Sequence, residues 1–370
     1  MPGSGARLQL LIGPTVPNPA PYEVVDALID LEVTSGEQEL DGFRMNFSLG
    51  REKGADYELL KSGLLEPPNR AIVVISIGTR REVLIDGLIT QHQVIPSNQA
   101  GGSKLHVDGL DIGIKLNLNE ANKSYPDQSD SVIVRHLLEA YRDLELEADV
   151  EESEVTPSDN DRRPAQQGSD LAYIRALAER NSFVFYVEPT TEPGKCIAYW
   201  GPQKRQGEAQ PALKMNMGPY TNVDTPITFR YDALGPADPG IFYLDPDSRQ
   251  MLPVEPSSSS YPQLARRISR PLRSTLARDT ARLNAALAGK RGLASTQESS
   301  DAVTGTGEVD AVRYGRILRA HHLVGVSGVG NSFDGEYYVE SVTHRIKRGE
   351  YKQSFTLKRE GRGSTKHQLR

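Results

Sequence analysis

Seven histidines, one cysteine and a scatter of paired carboxylates are the residues of this 370-residue chain with the most obvious chemical potential. A metal site would need several of them at a fixed helical or hairpin spacing, and no histidine stands in an H-E-x-x-H or similar pattern. His321 and His322 are adjacent, so on a strand they would point to opposite faces and could not share one ion. His344 alternates with Val342 and Ile346 and reads as a core-edge residue hydrogen-bonded to a neighbour. Cys196, in "GKCIAYW", has only Lys195 as a basic neighbour and reads as a small buried residue. A single cysteine also excludes an intrachain disulfide and a multi-cysteine metal centre.

The usual catalytic signatures do not occur. There is no G-x-S-x-G elbow and no phosphate-binding loop. "GVSGVGNSFDG", Gly325 to Gly335, lacks the G-x-G-x-x-G spacing and leads into a tyrosine-rich strand, so its glycines read as a β turn and a close backbone approach. Asp108 with Asp111, and Asp245 with Asp247, fit turn capping, and nothing sets either pair across a cleft as glycoside hydrolysis requires. The expectation is a chain with no catalytic residue, no metal and no cofactor.

The elements that would position any site follow from composition and period. Single cores stop growing at about 250 to 300 residues, so 370 residues imply more than one core. The net charge of -6 exerts no global pull on nucleic acid or anionic membranes. No apolar run approaches the roughly 18 residues of a membrane helix, and the Leu8 to Ile12 run is too short for a signal-peptide core, so a soluble chain made in the cytoplasm is expected. Two stretches are locally basic, Leu264 to Arg291 and Arg345 to Arg370, each summing to +7. They read as a solvated helix face and as a basic end that meets an acidic partner protein, ahead of nucleic-acid contact. Asp143 to Asp161 holds nine acidic residues and no basic one, and reads as a solvated connector.

"AIVVISIG" and "EVLIDGLITQ" are β-rich runs joined by Thr79, Arg80 and Arg81, and an antiparallel pair is predicted. "SDSVIVRHLLEAY" reads as a helix capped by Ser129 or Asp130. In "GSDLAYIRALAERNSFVFYVE" Ser169 caps a helix whose Leu171, Ile174 and Leu177 share one face, Asn181 ends it, and Phe183 to Val187 restart the chain as a strand. "ALKMNMG" and "PITFRYDAL" read as further strands of that same sheet. Leu272, Leu276, Leu283 and Leu287 lie at helical spacing after Pro271. Tyr351, Phe355 and Leu357 alternate with polar residues as in a half-buried strand, entered through a turn at Lys347 to Glu350.

Four of these segments, taken in order, carry a resemblance. "EVLIDGLIT", "SYPDQSDSVIVRHLLEAY", "GSDLAYIRALAERNSFVFYVE" and the run from "GEVDAVRYGRILRAHH" through "DGEYYVESVTH" to "GEYKQSFTLKREG" resemble the phage late-control D and tail baseplate hub family, including the hub part of valine-glycine-repeat spike proteins. The resemblance runs from about Asp41 to Gly363. It implies an α+β, mainly β fold with two tube-protein-like β-barrels flanking a mixed α/β middle region. It implies a non-enzymatic hub of a contractile phage tail or related injection system, type VI secretion included. Such a hub would be a homotrimer whose six barrel units adapt a hexameric inner tube to a trimeric spike. The expected partners are further copies of the chain, the tube protein, a separate spike protein, and other baseplate proteins; membrane insertion is not expected. Assembly would take place in the bacterial cytoplasm, as part of a particle. The competing readings are an envelope-degrading cell-wall hydrolase of the same machine and a nucleic-acid-binding module.

The expected organisation is an N-terminal arm (1–40), a first barrel with its closing helix (41–142), an acidic linker (143–165) and a helix-strand middle region (166–256). A basic helix with flexible loops (257–306), strands completing the second barrel (307–363) and a basic tail (364–370) would follow. The charged side of the middle helix, Arg175, Glu179 and Arg180, is the candidate inter-subunit contact.

Overall fold

The computed structural model describes residues 5–14, 16–37, 40–50, 57–99, 101–153, 164–245, 248–254, 262–276, 285–298 and 300–366. The fold is α+β and mainly β, and its strands are laid down in three stretches of chain.

The first stretch holds β1 (Ala6–Gly13), β2 (Asn18–Pro19), α1 (Tyr22–Ala27), β3 (Leu28–Gly36), β4 (Gly42–Ser48), α2 (Glu58–Lys61), β5 (Arg70–Ile77), β6 (Arg80–Ile95) and β7 (Lys104–Asp111). β5 and β6 form the expected antiparallel hairpin, with Ile77 opposite Arg80 across Gly78 and Thr79. "AIVVISI" does not alternate with polar residues because both its faces are covered: Val73 and Ile75 enter the main core, Ile72 and Val74 a small cluster with Leu11 and Val83. Within the first forty residues, expected as an arm, β1, β2 and β3 are instead part of the sheet. β1 pairs with β5 along its whole length, and β3 runs between β4 and a strand from the far end of the chain. The reason is a clean period of two, with Leu31 and Val33 buried while Glu32 and Thr34 face away.

The second stretch holds β8 (Glu120–Ser124), α3 (Asp130–Glu139), β9 (Leu146–Val150), β10 (Ala165–Ser169), α4 (Asp170–Arg180), β11 (Val184–Pro189) and β12 (Cys196–Gly201). Ser129 rather than Asp130 caps α3, its hydroxyl accepting from the Val132 N–H at 3.4 Å. Ser169 caps α4 in the same way, through Ala172 at 3.2 Å. Leu171, Ile174 and Leu177 of α4 meet Ile133 and Leu137 of α3 and Trp200 of β12 in one core. The Trp200 indole N–H donates to the Ile174 carbonyl at 3.2 Å. The left-handed residue after α4 is Ser182, with φ of 60°; Asn181 keeps a negative φ and spends its amide on Asp130 and the Leu177 carbonyl. The expected acidic linker contains β9, which lies parallel to β12 with Leu146 opposite Cys196. Leu146 and Val150 join the core of this middle region, and burial of such residues outweighs repulsion among exposed carboxylates.

The third stretch holds β13 (Gln210–Lys214), β14 (Thr228–Tyr231), β15 (Ala237–Leu244), β16 (Met251–Val254), β17 (Ala265–Ile268), β18 (Arg273–Leu276), α5 (Ala285–Glu298), β19 (Val303–Asp310), α6 (Ala311–Tyr314), β20 (Leu323–Ser327), β21 (Gly335–Lys347), β22 (Glu350–Arg359) and β23 (Gly361–Ser364). β13 and β14 pair with β20 and β19, so "ALKMNMG" and "PITFRYDAL" belong here and not to the β11–β12 sheet. Among the described residues the basic helix spans Ala285–Glu298. Before it, Leu272 and Leu276 are 70 % and 72 % exposed on and beside a short strand, so helical spacing without a surface to pack against made no helix there. Leu283 lies outside the described residues. The glycine-rich run is a turn between β20 and β21, and Gly328, at φ 84°, shows why: a Cβ there would lie 1.7 Å from the Met215 carbonyl oxygen.

One thirteen-stranded sheet joins the first and third stretches, in the order β14-β19-β22-β21-β3-β4-β7-β6-β5-β1-β2, with β13 and β20 branching from β21. It carries two separate cores. Phe43, Met45, Phe47 and Val107 belong to the first, Val339, Val342, Phe355 and Leu357 to the second. The β3–β21 pairing, Gly36 opposite Ser341 through Asp30 opposite Lys347, is where one half passes into the other.

Candidate functional site

The charges of α4 point in three different directions. Arg180 turns back into its own chain and donates to both carboxylate oxygens of Asp130, one of these bonds being 3.0 Å long. Their side chains are only 16 % and 8 % exposed, so this is an internal strut between α3 and α4 and not a free contact point. Glu179 meets Arg291 of α5 at 2.6 Å in a half-exposed pair. Arg175 is half-buried and lends its charge to Asp111. Burial pushes the Asp111 carboxyl up to about 7, against the opposing pull of the Gly113 N–H and Arg175. Asp41, half-buried beside it, is raised well above the usual carboxylate range by desolvation and by the Asp111 charge.

A second polar cluster sits where the middle region meets the second β half. His321 does not lie on a strand: it occupies the turn before β20 with φ of 65°. In consequence His321 and His322 engage the same face of β11, His321 stacking on Tyr186 at 3.8 Å and His322 reaching Glu188 at 3.3 Å. Burial lowers His321 to about 4. Burial would raise Glu188, but His322 and the Arg319 charge bring it below its ordinary value. Tyr338 donates to Glu37 at 2.5 Å, and the Gln203 amide donates to both Glu37 oxygens. Arg205 bridges Asp301 at 2.5 Å and Glu360 at 3.7 Å. His344 accepts or donates with the Tyr351 hydroxyl at 3.0 Å, as a core-edge histidine should. Cys196 is buried, and burial pushes its thiol up, away from the reactive thiolate. Among the described residues no group of three histidines, cysteines or carboxylates could hold a metal ion. These clusters tie strands together, and their chemistry is that of packing and docking.

Two exposed surfaces are strongly charged. β9 carries Glu147 and Asp149 along its outer side, continued by Glu151, whose N–H still bonds to the Trp200 carbonyl. Lys214, Arg266, Arg267, Arg362 and Lys366 line a cleft beside the β20–β21 turn, together with Ser332 and Asp334. The signal of the acidic strand lies in "LEADVE", where Leu146, Ala148 and Val150 alternate with carboxylates, but the density of acidic residues around it reads as a connector.

Comparison with known proteins adds the following. A tail protein from Neisseria meningitidis MC58 shares the fold over 97 % of this chain and 98 % of its own, at 12 % identity and a TM-score of 0.62. The 43 kDa tail protein of prophage MuSo2 from Shewanella oneidensis does so over 96 % and 99 %, at 14 % identity and a TM-score of 0.64. The fold is that of phage tail proteins. A component of the E. coli type VI secretion system, itself structurally similar to the T4 bacteriophage tail proteins gp27 and gp5, shares it over 89 % of this chain and 73 % of its own, with 13 % identity and a TM-score of 0.54. A family model described as the Alg8 N-terminal domain matches residues 25–191. That span is less than half of the chain and ends between the paired strands β11 and β12, so it does not delimit a folding unit of this tail-protein fold. No curated protein matches.

Proposed function

We propose that this chain is a structural hub of a contractile tail or related injection system, a homotrimer that adapts a hexameric inner tube to a trimeric spike. The observation that supports it is the tandem arrangement: two β halves with separate cores, held in one sheet by the β3–β21 pairing. Three such chains present six β units, which lets a threefold ring meet a sixfold one without changing subunit number. The fold shared with tail proteins and with a type VI secretion component points the same way. In this reading the partners are further copies of the chain, the tube protein, the spike and other baseplate proteins. Arg175 and Glu179 remain candidates to face a neighbouring copy, whereas Arg180 acts inside the subunit.

Native mass measurement of the purified chain, with imaging of the chain mixed with tube and spike proteins, tests the proposal. The expected result is a trimer that bridges the two. A strict monomer, both free and within particles, would overturn it.

A further inference from the structure

The acidic and the basic surface are each incomplete alone. β9 pairs with β12 and, among the described residues, with no other strand, so it is the outer strand of its sheet. Glu147, Asp149 and Glu151 follow one another at every second residue, which places them on one side, and all three are exposed. Of the three only Asp149 has an ion pair among the described residues, a loose one with Lys204 at 3.6 Å.

The cleft has the opposite imbalance. β17 and β23 form a two-stranded antiparallel ribbon in which Arg267 stands directly opposite Arg362. Like charges opposite each other on a ribbon destabilise it unless an anion lies between or above them. Arg362 lies over the Tyr231 ring at 4.8 Å, and Lys366 pairs with the buried Glu336 at 2.6 Å. Lys214, Arg266 and Arg267 have no carboxylate within ion-pair distance among the described residues, and Asp334 is the single acidic residue of the lining. Arginine forks bind carboxylates through paired N–H bonds, so a strand edge bearing carboxylates in a row matches this cleft in charge and in form.

We propose that the basic cleft of one copy receives the Glu147, Asp149 and Glu151 row of a second copy. The contact is heterologous, cleft to strand, and three of them close a ring. It rests on the trimer reading above and names the residues that hold the trimer together. A row of charges also guards an outer strand against edge-to-edge pairing, which is the role it would have if no copy docks there.

Light scattering at moderate salt tests the contact with three variants, each checked for native circular dichroism. The variant with Arg266→Glu, Arg267→Glu and Arg362→Glu is expected to fall to about one third of the wild-type mass, and so is the variant with Glu147→Lys and Glu151→Lys. The chain carrying all five changes is expected to regain the trimer, because the reversed charges again match. Wild-type trimers should also loosen as salt rises. Trimers that survive both partial reversals overturn this inference and leave the hub reading standing. A wild-type chain that stays monomeric both alone and when mixed with tube and spike proteins removes the hub reading itself.

Discussion

Arg180 and Asp130 lie fifty residues apart in sequence and meet as a paired guanidinium and carboxylate between α4 and α3, largely out of water. A buried pair that loses one member leaves an uncompensated charge. Arg180→Ala and Asp130→Ala should therefore each destabilise the fold by about 3 kcal/mol or more. The paired change to apolar residues of similar size should cost less than either alone. Urea unfolding of the four proteins checks this, and additive losses would count against the strut.

Trp200 is the chain's one tryptophan and is fully buried. Its emission should be blue-shifted in the native state and should move to the red as the middle region unfolds. Trp200→Ala should cost about 3 to 5 kcal/mol through the cavity it leaves in the α3–α4 core. Guanidinium titrations followed by circular dichroism read the loss.

Asp111 carries a pH dependence of known sign. Its folded pKa, about 7, lies above the ordinary carboxylate value, so between about pH 4 and 7 the folded chain holds the proton that the unfolded chain has released. The stabilisation from this group is full at the acid end and is lost as pH rises through 7. Asp111→Asn should remove that loss and raise the thermal midpoint at pH 8 more than at pH 5. Equal shifts at both values would refute the assignment.

His321 has the opposite sign. Its folded pKa, about 4, lies below the ordinary histidine value, so the unfolded chain takes up a proton first as pH falls from about 6.5. Stability should decline by about 1.4 kcal/mol per pH unit from this group until about pH 4, then level off. His321→Asn keeps a residue that tolerates the positive φ and should flatten that part of the profile. Chemical denaturation at several pH values measures the slope.

What was legible in the sequence was local. The Ser169 cap and the Leu171, Ile174, Leu177 face needed only a helical period, and the β21–β22 hairpin needed only Gly349 and alternation on either side. What was not legible depended on distant partners. β3 has a clear period of two, yet its partner β21 lies at the other end of the chain. The acidic count from Asp143 onward hid the apolar alternation of β9. Arg180 looked like a free surface charge because nothing in its neighbourhood of sequence announces Asp130. The leucine spacing after Pro271 was real, but a helical period becomes a helix only where its stripe finds a core.

The joint between β3 and β21 has a consequence for biogenesis. Arg345 and Glu32, ion-paired across it, are 313 positions apart, so the first half cannot complete its sheet until the ribosome has made nearly all of the chain. Until then β3 waits with one edge open, exposed to wrong partners and to other nascent copies. Truncation near residue 340 would leave that edge permanently unpaired, and slow, late closure with a need for chaperone protection during synthesis follows from the same connection.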